Sequence, residues 1–440
     1  MTPRDFLQRY RFDARMITGR FYAHEPLLVE QGDRVGVVLL YPGGPGIPED
    51  VASFLYGVLM DPAVVDLPLG RRLRPVVCRT LSSLLAKRIG REYEAIGGRS
   101  PINRLTREQA VALETRLNLR YGKATGVSFH AYPAARYGHP SFEVVAMQME
   151  SDGIDKVVLL PLYPQYAKMT TGSALCYWWT LEQAGEIPSW PTTFAFEYAA
   201  HPKYVQALSE RIDEALQRFP RAVRSDVHLV FTALATPMRE MTVHRDPYCC
   251  LVHSTVDRVM AHRGHDLPFH VTFQSMAGLA EWLAPETEET VVELARQGAR
   301  AVLMVPVSFV SDRLETVYRL DVRLREKAEQ RGLVHFEVTS GLNCHPLFIE
   351  ALSEVVLSQI RWPESVAGVG DGVAPYAICP VGRAGVYAAA ERQVRCTRCP
   401  MIAEAARWEE RPGEAGWPGP APKLRNGSTW PSGTAPQPEK

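Results

Sequence analysis

Two stretches decide the fold. One is His139–Tyr163, HPSFEVVAMQMESDGIDKVVLLPLY; the other is Ala284–Ser308, APETEETVVELARQGARAVLMVPVS. Each runs proline, amphipathic helix, glycine turn, buried apolar strand, proline. Three landmarks keep one offset of 145 residues: Pro140 with Pro285, Gly153 with Gly298, Pro161 with Pro306. A fixed offset of this kind marks two copies of one supersecondary unit. Working outward, Val35–Tyr41, Gly126–Ala131, Lys156–Leu162, Thr192–Phe196, Val227–Thr232, Phe269–Phe273, Ala301–Val307 and Val334–Thr339 read as strands. Helical patterns lie between most of them, as in Phe142–Asp152, Pro202–Phe219, Pro285–Gly298 and Glu315–Arg331. Short buried strands alternating with helices specify an α/β fold with parallel, doubly wound sheets.

The two units are not equal. Val37 lies 103 residues before Pro140, whereas Leu229 lies 56 before Pro285, so the first unit carries about 47 extra residues. They are assigned to an insertion within Phe54–Arg104, at the mouth of the first domain. Two similar domains then face each other across a cleft, a common place for a ligand. The reading divides the chain into an extension (1–33) without a clear strand signal, a first domain (34–195), and a second domain with a closing helix (196–362). A cysteine-bearing extension (363–405) and a tail (406–440) follow. The last thirty residues hold seven prolines and five glycines, too little apolar surface to fold alone.

Composition excludes several classes. Of 440 residues, 49 are Lys or Arg and 49 Asp or Glu, so no basic excess marks a nucleic-acid binder. The longest apolar runs are about seven residues, far short of a membrane span. The polar, Arg-rich start is no secretory signal, and a cytoplasmic location is expected. Cys379, Cys396 and Cys399 crowd together, a pattern that suggests metal or Fe–S ligation in a reducing compartment.

Three motifs leave strand ends. Gly43-Gly44-Pro45 follows the first strand and reads as a plain turn before a ligand loop. Leu162-Tyr163-Pro164-Gln165-Tyr166 leads into Thr170-Thr171-Gly172-Ser173, where either threonine could cap the next helix. Ser308–Arg323 leaves the equivalent strand of the second unit. Asp312 is a candidate cap there, and Glu315, Arg319 and Arg323 share one helix face as a salt-bridged stripe.

Together with Ile96–Ile102, Arg136–Pro140, Asp246-Pro247-Tyr248, Phe273-Gln274-Ser275, Trp282-Leu283, Ser311–Thr316 and Leu342–Phe348, these motifs make residues 34–360 resemble the ferrochelatase family. The resemblance implies two Rossmann-like, chelatase-type domains and a porphyrin cleft between them. Its members insert ferrous iron into a porphyrin in haem synthesis, so Fe²⁺ is an expected substrate and porphyrin or haem an expected ligand. It assigns porphyrin contacts to Phe54, Leu55, Leu59, Arg136, Tyr137, Tyr163, Gln165, Tyr166, Thr171 and Trp282. It gives catalytic roles to Glu315 and its neighbour Asp312. A homodimer, peripheral membrane contact, and association with an active ferrochelatase or another haem-pathway enzyme are further expectations.

The chain departs from the family where the metal enters. The base in a Phe-Ser-Ala-His motif becomes Leu234 of Phe231-Thr232-Ala233-Leu234, which can take no proton. Arg313 replaces a histidine. Arg319 and Arg323 replace acids along the helix, and each cation near a cation's path costs about 1–4 kcal/mol. Pro42 offers no ligand below the porphyrin centre. The expectation is a porphyrin binder whose insertion chemistry is impaired. The alternatives are an active ferrochelatase using Glu315 and a substitute base, and a non-catalytic haem or porphyrin sensor. Some members carry a [2Fe–2S] cluster on a C-terminal extension, which implies Cys379, Cys396 and Cys399 as ligands here. Cys344 is the preferred fourth ligand, with Cys176 and Cys249 as alternatives. A zinc site using Cys344 or His345 competes with it.

Overall fold

The computed structural model describes residues 1–362 except His24, Pro68 and 276–279. The expected cysteine extension and tail lie outside the described residues. Ten strands form in chain order: β1 (Leu27–Leu28), β2 (Arg34–Tyr41), β3 (Ser128–Ala135), β4 (Lys156–Pro161), β5 (Thr192–Phe194), β6 (His228–Leu234), β7 (Phe269–Gln274), β8 (Ala301–Pro306), β9 (His335–Val338) and β10 (Ile360–Arg361). They build two four-stranded parallel sheets of one topology, β3-β2-β4-β5 and β7-β6-β8-β9. Continuous apolar runs such as Val37–Leu40 suit strands that are covered on both faces.

The 145-residue offset carries into the structure. The helices Phe142–Ser151 and Thr287–Arg296, and the strands β4 and β8, keep it residue for residue. Ser141 caps the first helix by accepting from Val144 N, and Glu286 caps the second by accepting from Glu289 N. The sheets share a core: one apolar cluster joins Leu39, Phe129 and Leu160 to Phe231, Leu303 and Val305. The first 33 residues differ from expectation. They form the helices Pro3–Arg9 and Arg15–Thr18, and β1 pairs with β10, joining the extension to the closing segment.

The insertion is a lip of two helices, Val51–Met60 and Arg74–Glu94. Asp50 closes the short turn Pro48–Asp50 that leads into the first, its carboxylate accepting from Gly46 N and Ile47 N. Leu73, Val76 and Leu84 leave an apolar row exposed on the lip. No described helix is long and apolar enough to cross a membrane.

Candidate functional site

A cavity of about 930 Å³ opens beneath the lip. Phe54, Met60, Ile96 and Phe6 give it apolar walls, while Arg99, Arg104, Arg107 and Arg136 line it with positive charge. Arg104 pairs with Glu108; Arg99 and Arg107 form no salt bridge among the described residues. Gly44, Pro45 and Gly46 line it, next to Gly43. Gly43 has φ +83°, and a Cβ on Gly44 would fall 2.5 Å from Ser100 Cβ. The glycine turn therefore answers to close backbone packing beside the cavity.

Behind the cavity lies a buried hub that sequence reading missed. Asp61 ends the first lip helix and is 2% exposed. Its Oδ2 accepts from Arg136 Nη2 at 2.6 Å and from the Tyr137 and Ser173 hydroxyls at 2.7 Å each. Its Oδ1 accepts from Ala63 N. The Arg136 guanidinium also lies 3.9 Å from the Tyr177 ring centre and 4.9 Å from that of Phe6. Burial disfavours the Arg136 charge, but Asp61, with Tyr137, Tyr177 and Cys176 adding to it, more than offsets burial and raises the pKa. Arg136 and Tyr137 both line the cavity, yet Asp61 takes their strongest hydrogen bonds.

The space between the units is much smaller. At the strand ends about 20 Å³ remains among Tyr41, Pro42, Thr106, Tyr163, Ser308–Ser311 and Arg313, room for one water. The expected cleft between domains is thus nearly filled at this point, and the large cavity belongs to the first unit. Arg313 lines this gap with its guanidinium 5.0 Å from the Phe309 ring centre.

Glu315 begins the wide-turned π-type helix Glu315–Leu324 that follows β8. Its carboxylate accepts from Arg313 Nε at 2.6 Å and sits 3.7 Å from Arg319 Nη1. Burial alone would raise its pKa; the two arginines override burial and hold it down at about 2. Arg319 also donates to Glu92, on the second lip helix, at 3.2 Å. Arg323 turns away to Glu288 at 3.8 Å. The stripe expected on one face therefore splits between two partners. Asp312 caps no helix: it accepts from Gly341 N and Asn343 Nδ2, tying the loop Gly341–Asn343 down. Leu234 ends β6, and its backbone N–H donates to Ser308 Oγ.

The remaining assigned residues scatter. Tyr166 is fully buried, stacked on Phe196, and its hydroxyl donates to the Met16 carbonyl. Gln165 is 1% exposed and spans the units through Thr255 Oγ1 and the Val307 carbonyl. Thr171 is buried with its hydroxyl unpaired, and the threonine cap does not form, because Lys168–Gly172 is itself a π-type turn. Leu55 packs with Tyr93 and Leu314, and Leu59 with Cys78 and Met60. Trp282 packs against the shared core with its Nε1 unpaired. Phe54, Arg136 and Tyr137 meet at the large cavity, while Tyr163 lines the small one.

Among the described residues no three His, Cys, Asp or Glu side chains converge on a metal site. Cys344 is half-buried, and burial pushes its thiol pKa up. Cys176 is buried, which pushes its thiol up to about 12. After the Pro-Gln-Tyr motif, Lys168 Nζ donates to Glu240 in a buried pair, so that position offers no thiolate. Of the four preferred cluster ligands only Cys344 lies within the described residues.

Residues 34–360 match the sequence profile of the Ferrochelatase family. A ferrochelatase of Gloeobacter violaceus is 36% identical over 332 residues, 74% of this chain and 98% of that one. One from Geotalea daltonii is 37% identical over 327 residues, again 74% and 98%. One from Synechococcus sp. WH7803 is 35% identical over 336 residues, 75% and 84%. Two parallel sheets of matching topology, joined through one core, agree with that profile, and the chain belongs to the ferrochelatase family.

Proposed function

We propose that this chain binds a porphyrin beneath its lip and inserts ferrous iron poorly. The observation that carries the reading is the state of the insertion machinery. Two pyrrole N–H protons must leave as a metal enters, and the position of the family's base holds Leu234. Glu315 cannot substitute, because a carboxylate held at about 2 by Arg313 and Arg319 has little tendency to take a proton near neutral pH. Arg319 replaces an acid on the proposed metal path and pairs with Glu92 of the lip. The cavity supports binding by its size, its apolar walls, and the positive charge of Arg99 and Arg107, which suits a ligand bearing carboxylates. The exposed row Leu73, Val76 and Leu84 favours peripheral contact of the lip with a membrane.

Titration with a porphyrin tests binding through the Soret band, and added Zn²⁺ tests insertion on the same sample. The expected result is a saturable Soret shift with slow formation of the zinc product. Absence of the shift would defeat the binding half of the proposal; rapid zinc insertion would defeat the other half.

A further inference from the structure

At the end of the second sheet opposite Leu234, His228 opens β6 and His270 is the second residue of β7. The register pairs Leu229 with Phe269 and Val230 with His270. His228 and His270 therefore project from one face, one diagonal step apart, within reach of each other. Their rings are nearly parallel, at 20° with centroids 5.4 Å apart. His228 Nδ1 and His270 Nε2 stand 3.1 Å apart and share one hydrogen bond. Burial lowers the pKa of both, that of His270 to about 4.

Two imidazoles bound side by side on one divalent ion, each about 2.0–2.1 Å from it, place their nitrogens about 2.9 Å apart at a right angle and about 3.4 Å apart at the tetrahedral angle. The observed spacing falls between these limits. We infer that His228 and His270 form a two-histidine site for a late first-row divalent cation such as Zn²⁺, Ni²⁺ or Cu²⁺. The ion replaces the hydrogen bond: the donating ring carries its proton on its other nitrogen, both facing nitrogens offer lone pairs, and water completes the coordination. Imidazole suits these ions, and two protein donors make the site a weak and exchangeable one. Six residue steps along β6 separate His228 from Leu234, about 20 Å. An ion here is therefore remote from the Leu234 end of the strand and owes nothing to porphyrin binding.

The test is equilibrium dialysis of the full chain against Zn²⁺, beside His228→Asn and His270→Asn. Cysteine sites contribute equally to all three proteins and cancel. Each variant is expected to bind one Zn²⁺ fewer per chain, since one imidazole alone does not hold the ion. In the ¹⁵N-histidine spectrum of the unsubstituted chain, two imidazoles should shift on Zn²⁺ addition; the remaining one should not shift in either variant. Unfolding temperature without metal checks the fold, and His228→Gln replaces any variant that fails to fold. Equal Zn²⁺ stoichiometry in the unsubstituted and variant chains, or no imidazole shift, would overturn the inference and leave only a hydrogen-bonded histidine pair.

Discussion

The Glu315 clamp makes a quantitative prediction. Arg313 and Arg319 lower the carboxyl from an ordinary 4.5 to about 2. The sign follows from the depressed pKa. The unfolded chain takes up the proton near 4.5, but the folded chain resists until about 2. The stabilisation is therefore fully present above about pH 4.5 and is lost as pH falls towards 2. Each pH unit in that window removes about 1.4 kcal/mol, so about 2 kcal/mol disappears between pH 6 and pH 3. Other carboxylates titrate in the same range, so the useful quantity is the stability difference between the unsubstituted chain and Glu315→Gln. Urea unfolding of both at several pH values should show that difference shrinking by about 2 kcal/mol on acidification. In an Arg313→Gln, Arg319→Gln background burial is opposed only by a backbone hydrogen bond, the Glu315 pKa rises, and the acid loss of stability shrinks or reverses. A difference that stays flat from pH 6 to pH 3 would refute the clamp.

Three further outcomes follow from the same contacts. Leu234→His with Arg319→Glu and Arg323→Glu returns a base and two acids to the insertion path, and should raise metal insertion by about 10²-fold or more in a porphyrin assay. Asp61→Asn strips the buried Arg136 of its carboxylate and should cost about 3–5 kcal/mol in urea unfolding, with Soret binding weakened as the lip loosens. A [2Fe–2S] cluster on Cys379, Cys396, Cys399 and Cys344 predicts a brown protein whose visible absorbance dithionite bleaches and Cys344→Ser diminishes; stoichiometric zinc in a colourless anaerobic preparation would reject it.

What the sequence disclosed depended on the range of the interaction. The 145-residue offset and the apolar runs are local patterns, and they located all eight strands of the two sheets to within a few residues. The charge reversal at Arg319 and Arg323 was also visible, because the surrounding Ser-Asp-x-Leu-Glu-Thr motif fixed their positions. The partners were not. Asp61 reads as an ordinary acid ending a helix, yet it meets Arg136, 75 positions away in the chain. Glu92 reads as a solvated helix acid, yet it meets Arg319 across 227 positions. Asking which acid offsets a reversed charge was the signal that could have found Glu92. Tyr166 and Gln165 were legible as a motif, and their packing was not: one is a core ring and the other a strut between the units. The filled gap near Arg313 depended on side-chain reach, which spacing along a strand does not encode.

The most direct test is anaerobic insertion of Fe²⁺ into a porphyrin, run beside an active family member at equal concentration, with binding followed on the same sample. The structure predicts saturable porphyrin binding with insertion at least about 100-fold slower than in the active relative, the scale of a missing general base. Insertion at a comparable rate would contradict it and would require a base other than Glu315.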